Sequence, residues 1–279
     1  MERIIMLEIL KAFIFGIVEG ITEWLPISST GHIILLNEFM PLDVSQEFME
    51  VFEVVIQLGA ILAVVLIFWK KIFPFRRERG GIKTDMRIMN MWFKIVVACV
   101  PAAVVGLLLD DKINELFYNS TTVGIALIVF GIAFILIENR NRHMRPRVRR
   151  IGDITYQTAL IIGLFQLIAA VFPGTSRSGA TIVGALLIGV SRTVAAEFTF
   201  FLAIPVMFGA SLLKLVKFGG AFQGMEIAIL IAGMISAFIV SVIVIRFLMS
   251  YIKKHDFKVF GWYRIVLGAV VLLYFGLLK

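Results

Sequence analysis

The chain has 279 residues, 60% of them hydrophobic and 16% charged, with a mean hydropathy of +0.97. Soluble domains are about 45–50% apolar and about 25% charged, which excludes a single water-soluble core and makes lipid the solvent for much of the surface. The balance is basic, with 27 Lys and Arg against 19 Asp and Glu; these cations fall between apolar runs, where the positive-inside rule puts them, so no nucleic acid partner is expected.

In chain order, residues 1–14 scatter Glu2, Arg3, Glu8 and Lys11 through an apolar stretch. They lack the basic head and clean apolar core of a cleaved signal peptide. The run 10–37 is interrupted near its middle by Pro26 and a Ser/Thr/Gly cluster, and reads as two half-helices around an irregular turn. Three spans follow at about 53–69, 93–109 and 121–137, close to the roughly 20 apolar residues that cross a bilayer. A second interrupted run, 154–190, breaks around Pro173 in the same way, and three more spans follow at about 198–216, 226–248 and 261–278. The one cysteine, Cys99, lies in an apolar run, so no intramolecular disulfide forms and it reads as a small buried hydrophobe.

Loop charge sets the orientation. Residues 70–87 carry Lys70, Lys71, Arg76, Arg77, Arg79, Lys83 and Arg87. Residues 140–150 carry six arginines, and 246–258 carry Arg246, Lys253, Lys254 and Lys258. All three are expected in the cytoplasm, and the loops with Glu38, Asp43, Glu47, Glu50, Asp110, Asp111 and Glu115 outside. Counting crossings then requires both interrupted runs to return to the side they came from. The expected fold is an all-α polytopic membrane protein with an inverted-topology repeat. Residues 1–139 form one half and 151–279 the other, each a re-entrant helix pair plus three transmembrane helices, joined by a basic linker at 140–150. An offset of 147 supports it: Gly16 meets Gly163, Glu19 meets Gln166, Pro26 meets Pro173, Ser28 meets Thr175 and Ser29 meets Ser176. Such repeats place their site near the midplane, where broken helices meet.

The first interruption reads Glu19-x-x-x-Glu23, then Pro26-x-Ser28-Ser29-Thr30-Gly31-His32. Two carboxylates four residues apart share a helix face; in an apolar setting they suit a shared proton or a cation. The hydroxyls are good helix caps, and the same helix N-terminus also favours an anion, phosphate above all. His32 has the chemistry of an acid, base or nucleophile. The second interruption, Pro173-Gly174-Thr175-Ser176-Arg177-Ser178-Gly179, adds a fixed cation. Arg177 either pairs with Glu19 or Glu23, or grips phosphate oxygens bidentately. Two helix N-termini, an arginine, hydroxyls, carboxylates and an imidazole suit phosphoryl transfer, where positioning and charge stabilisation dominate.

These two stretches resemble the paired motifs of the undecaprenyl-diphosphate phosphatase (bacitracin-resistance) family, over essentially the whole chain. The resemblance implies hydrolysis of undecaprenyl diphosphate to the monophosphate at the outer face of the bacterial cytoplasmic membrane, which recycles the lipid carrier for peptidoglycan. It also implies bacitracin resistance and use of Mg²⁺ or Ca²⁺. Carried onto this chain, Glu19, Glu23, Ser29, His32 and Arg177 are the expected catalytic residues. Ser28, Thr30, Gly31, Thr175, Ser176, Arg177, Ser178 and Gly179 are expected to bind phosphate, and Glu19 and Glu23 the metal. Ser29 is favoured as nucleophile over His32 or water. Glu53 and Gln57 interrupt a span near the outer side, and the glycine-rich helix faces permit a homodimer. The competing reading is an inverted-repeat transporter or flippase for a phosphate-bearing lipid or anion.

Overall fold

The computed structural model describes residues 2–78, 81–220 and 222–277; Arg79, counted above with a basic loop, lies outside them. The described chain is nearly all helical. Helices α1 (Glu2–Thr22) and α2 (Ser29–Phe39) flank the first break, followed by α3 (Gln46–Ile72), α4 (Met86–Phe117) and α5 (Ser120–Asn141). A 3₁₀ turn at Ile151–Asp153 precedes α6 (Tyr156–Val171) and α7 (Arg177–Leu187), which flank the second break. Helices α8 (Arg192–Phe218), α9 (Gly224–Tyr251) and α10 (Lys258–Leu277) complete the chain. Among the described residues six helices are long and apolar enough to cross a membrane: α3, α4 over Met86–Leu109, α5, α8, α9 and α10 over Lys258–Gly276. They are the six runs expected from hydropathy.

Two features were not read from the sequence. The basic loop after α3 folds into a hairpin, β1 (Phe75–Glu78) against β2 (Gly81–Thr84), in register from Phe75↔Thr84 to Glu78↔Gly81. Pro101 and Pro205 sit inside α4 and α8 without ending them, which packed neighbours make tolerable at membrane depth.

Helix starts follow local chemistry. Ser45 Oγ accepts from Phe48 N–H at 3.1 Å, Asn119 Oδ1 from Thr122 N–H at 2.9 Å and Thr155 Oγ1 from Thr158 N–H at 3.1 Å, each satisfying an amide with no partner within its helix. On α9, Ile231, Ile235, Ile239 and Ile243 repeat every four residues and are each at least half exposed. A stripe of that kind facing outward suits lipid. Inward, Trp24, Phe68, Phe200 and Phe201 are buried in one apolar cluster, with Trp24 edge-on to Phe200 at 5.2 Å.

The strongest helix pairings are α5 with α10, α1 with α9, α6 with α4, and α3 with α8 and α9. Most of these rest on glycine. A Cβ at Gly16 would lie 2.2 Å from Gly233 O, and one at Gly163 would lie 2.3 Å from Ala98 O, so backbone meets backbone. The ends are also sewn. Lys11 Nζ donates to Glu8 and to Pro41 O, both at 2.7 Å, and Glu8 accepts from Asp43 N–H at 2.9 Å. Beyond α5, Arg147 and Val148 N–H both donate to Gly189 O, and Ser191 N–H donates to Val148 O.

Gly163→Ala is expected to lower the thermal unfolding midpoint in detergent by the equivalent of about 1–3 kcal/mol. Gly106→Ala, whose Cβ meets nothing, should not lower it. A scan of the two purified variants checks this.

Candidate active site

Each break is a short turn that ends in a strained serine. Ser28 and Ser176 have φ of 74° and 66°, and among the described residues no other non-glycine residue has a positive φ. Such a conformation costs about 1–3 kcal/mol and persists only where the surroundings enforce it. Both serines cap the helix that follows: Ser28 Oγ accepts from Gly31 N–H at 3.4 Å, and Ser176 Oγ from Gly179 N–H at 3.2 Å. The equivalence is therefore Ser28 with Ser176, an offset of 148. The pairing of Ser28 with Thr175 and Ser29 with Ser176 expected from sequence is one residue out. The second turn holds one more residue after its proline, accommodated by Gly174 at φ 88°. Ser29 and Arg177 thus occupy matching first positions of α2 and α7.

Both converge on one carboxylate. Glu23 Oε1 accepts from Arg177 Nη2 at 2.8 Å, and Glu23 Oε2 accepts from Ser29 Oγ at 2.8 Å. Arg177 also donates from Nη1 to Thr199 O at 3.2 Å, which fixes its guanidinium in plane. Ser178 Oγ donates to the backbone oxygen of Glu23 at 3.1 Å and lies 3.1 Å from Ser176 Oγ. The Ser178 proton is committed to that carbonyl, so the Ser176 hydroxyl is the donor of the second bond. Thr181 bridges Arg177 O and Thr199 Oγ1 at 2.9 and 2.8 Å. Glu19, one turn before Glu23 and 1% exposed, interacts with Glu23 and lies in the field of Glu53 and Arg177.

His32 is hydrogen-bonded to neither carboxylate. Its Nδ1 lies 2.7 Å from Ser28 O and its Nε2 lies 2.7 Å from the Tyr263 hydroxyl, with the two rings stacked. A carbonyl only accepts, so the neutral ring carries its proton on Nδ1, and Nε2 accepts from Tyr263. This tautomer leaves Nε2 as the basic atom, tethered to α10. Thr30 is half-buried at the start of α2. Gly31 and Gly179 spend their amides on the caps just described.

The two turns are joined by a residue that sequence reasoning passed over. Arg264 of α10 has no exposed surface. It donates from Nη1 to Pro26 O at 3.2 Å, and from Nη2 to Gly174 O at 3.0 Å and Thr175 O at 2.7 Å; Nε lies 3.5 Å from Leu127 O. Phe130 lies 5.9 Å from the guanidinium carbon. No carboxylate is paired with it among the described residues. An arginine within the apolar run 261–278 was the signal available, because ionisable groups at that depth have roles by default. Tyr263, next to it, carried no such signal.

The remaining polar groups are unevenly distributed. Among the described residues, the buried side-chain polar atoms with no partner are on Glu19, Trp24, Gln166 and Thr175, all within the two breaks or the last two turns of the helices leading into them. Buried polar atoms are nearly always bonded, so their clustering here marks a place built for something other than packing. A cavity of about 840 Å³ opens nearby, lined by Asn37, Glu50, Glu53, Glu115, Tyr118 and Lys214 among others. Glu53 belongs to it; Gln57 is not among its lining residues.

Replacing Arg264 by Met leaves three buried carbonyls without a donor, at about 1–3 kcal/mol each. Lys keeps the charge and cannot span both turns. Both variants are expected to lower the unfolding midpoint and to speed amide exchange at residues 24–28 and 172–176 by at least about tenfold. Exchange measured by mass spectrometry checks this, and protection unchanged at both turns would contradict the bridge.

Comparison with known proteins gives a consistent answer. The family profile described as Bacitracin resistance protein BacA matches residues 12–270. The chain is 68% identical over 271 residues to the undecaprenyl-diphosphatase of Desulfitobacterium hafniense, covering 97% of each chain. It is 66% identical to undecaprenyl-diphosphatase 1 of Clostridium acetobutylicum over 96% of this chain and 98% of that one. With the undecaprenyl-diphosphatase of Enterococcus faecalis it shares 59% identity, over 96% and 97%. The chain belongs to the bacitracin resistance protein BacA family.

Proposed function

We propose that this protein is an integral membrane phosphatase that hydrolyses undecaprenyl diphosphate to undecaprenyl phosphate and inorganic phosphate, recycling the lipid carrier of envelope polymers. Consuming the diphosphate is also how it confers bacitracin resistance. The observation that carries the reading is the hydrogen-bonded chain from Ser29 to Glu23 to Arg177. It has the form of an activated nucleophile: a hydroxyl on a base, and the base oriented by a third group.

In this reading Arg177 exchanges its bond to Glu23 for the phosphate oxygens of the substrate, offering a flat pair of donors. The exchange leaves the Glu23 carboxylate free to take the Ser29 proton as Oγ attacks the terminal phosphorus. The P–O bond to the lipid phosphate breaks, and undecaprenyl phosphate leaves with the electron pair and needs no proton. Water then cleaves the phosphoserine, its own proton passing by way of His32 to solvent while Glu23 returns its proton to the departing Ser29 Oγ, and inorganic phosphate leaves. Ser29 is preferred over His32 because its hydroxyl already lies on a carboxylate, whereas His32 Nε2 is engaged by Tyr263. Thr30, Thr175, Ser176 and Ser178, with the remaining free amides at the starts of α2 and α7, surround the phosphate; the unpartnered Thr175 hydroxyl supports that assignment.

A divalent cation, Mg²⁺ or Ca²⁺, fits the donor set. Glu19 keeps one buried oxygen without a partner, and Mg²⁺ is commonly held by one or two carboxylates plus substrate phosphate oxygens. Among the described residues no group of three or more His, Cys, Asp and Glu could hold a metal alone. Glu19 and Glu23 would therefore hold it together with the substrate, and its contribution when bound is to neutralise phosphate charge.

The architecture belongs to the same proposal. The two breaks make re-entrant pairs of opposite orientation, in residues 1–139 and 151–279. The ties between Lys11 and Pro41 and between Val148 and Gly189 support it, because each joins the start of an interrupted segment to its end. The matched caps at Ser28 and Ser176 support the repeat. Loop charge supports a site opening to the outer face of the bacterial cytoplasmic membrane.

Arg177→Ala should reduce kcat/KM for phosphate release from a polyprenyl diphosphate in detergent by at least about 10²–10³-fold, with helical content unchanged. Ser29→Ala should lose as much or more, and His32→Ala less. Near-normal release by Arg177→Ala would remove the clamp, and substantial release by Ser29→Ala would remove Ser29 as the attacking group. Chelation by EDTA should abolish release in the wild type, with Mg²⁺ or Ca²⁺ restoring it.

A further inference from the structure

At the end of the molecule that loop charge assigns to the cytoplasm lies a second recess, away from both breaks. It has a volume of about 450 Å³ and is formed where α5 and α7 end, where α8 begins and where α9 runs out. Six cations line it against one carboxylate: Arg140, Arg142, Arg145, Arg147, Arg192 and Lys253 against Glu138. Glu138 is 1% exposed and spent, gripped by Arg192 and accepting from Phe257 N–H at 3.0 Å. The other five cations are exposed and make no ion pair among the described residues.

The positive-inside rule accounts for cations in this loop. It does not account for their convergence, from three separate segments, on one walled recess. The wall is built: the Val148–Val190 bridge and the bonds to Gly189 O pin the arginine-bearing strand against the α7–α8 turn, and Asn141 Nδ2 donates to Leu186 O at 2.9 Å. Exposed Met144 and Leu187, together with Ile188 and buried Ile252, give the recess an apolar side. A free anion has no use for that side. A lipid has, and the recess lies where α5 and α9, helices long and apolar enough to cross a membrane, come to their ends.

We propose that this recess binds the phosphate headgroup of an anionic lipid from the adjacent leaflet. Arginines clamp the phosphate bidentately, Lys253 closes from the opposite segment, and the glycerol end of the lipid lies along Leu187 and Ile252. Basic pockets between transmembrane helices on the cytoplasmic side take lipid phosphates on this principle. The site is independent of the phosphatase chemistry and stands whether or not that reading does.

The test uses the full chain, delipidated in a neutral detergent. Native mass spectrometry and thermal unfolding would follow titration with short-chain cardiolipin, phosphatidylcholine of equal chain length, and inorganic phosphate. Wild type should bind cardiolipin saturably, with an affinity at least about tenfold above that of the Arg142→Gln/Arg145→Gln/Arg147→Gln variant. Phosphatidylcholine should not distinguish the two proteins. If the triple variant fails to fold, Arg145→Gln and Lys253→Gln, on different segments, should each weaken cardiolipin by at least about threefold. Equal cardiolipin affinity in wild type and variants would overturn the site. So would displacement of cardiolipin by inorganic phosphate at matching concentration, which would make the recess a free-anion pocket.

Discussion

Arg264 is the constraint on which the rest of the site depends. Moving a cation into a buried place costs several kcal/mol after relaxation. Here the charge is compensated by carbonyl oxygens and not by a carboxylate. The carbonyls belong to Pro26, Gly174 and Thr175, where both helices are broken and the backbone has lost its own partners. Each break alone would expose orphan carbonyls in an apolar interior. One guanidinium answers both, with charge-assisted bonds worth about 1.5–3 kcal/mol each, and in doing so fixes the distance between the turns. Because Arg264 is on α10 and Tyr263 beside it holds His32, the last helix sets the geometry of residues more than two hundred positions earlier.

With the turns clamped, the strained serines follow. Ser28 and Ser176 hold a backbone conformation that a free loop would relax, and each returns an oxygen to the amide three residues on. The next residue of each helix is then thrown toward the same point. In one half it is Ser29 and in the other Arg177, and the carboxylate between them is Glu23. Two turns of matching cap geometry thereby supply an unlike pair, a hydroxyl from one and a fixed cation from the other. The same asymmetry separates Glu19 from Gln166, both buried and both with an unpartnered side-chain atom.

The two ends of the molecule differ in what surrounds their recesses. Near the active site the larger cavity mixes Glu50, Glu53 and Glu115 with Lys214, and Lys214 pairs with Glu50 at 2.7 Å. At the opposite end the recess holds unpaired arginines and an apolar wall. The charge that lines the first cavity is acidic or already paired.

Much of this was legible in the sequence, because a bilayer imposes length and hydropathy on every helix that crosses it. The six spans and the two interruptions follow from apolar run length and from Pro, Ser, Thr and Gly. Glu19, Glu23, His32 and Arg177 stand out because an ionisable group in an apolar run is costly and must be compensated, and Ser29 because it sits in the hydroxyl cluster after Pro26. Three things waited for tertiary structure. The hairpin after α3 forms in a mostly polar, basic loop with no hydropathy signal of its own. The one-residue shift between the breaks depends on Gly174 taking a positive φ, which a gapless alignment does not register. The partners were legible only in part: the pairing of Arg177 with Glu19 or Glu23 was open to sequence, and the structure selects Glu23, but that His32 answers to Tyr263 and that Arg264 joins the turns were beyond reach. Sequence determined which groups are too expensive to leave alone in lipid. Only the packing of α10 against the two breaks decided which of them compensate one another, because that depends on distances between residues far apart in the chain.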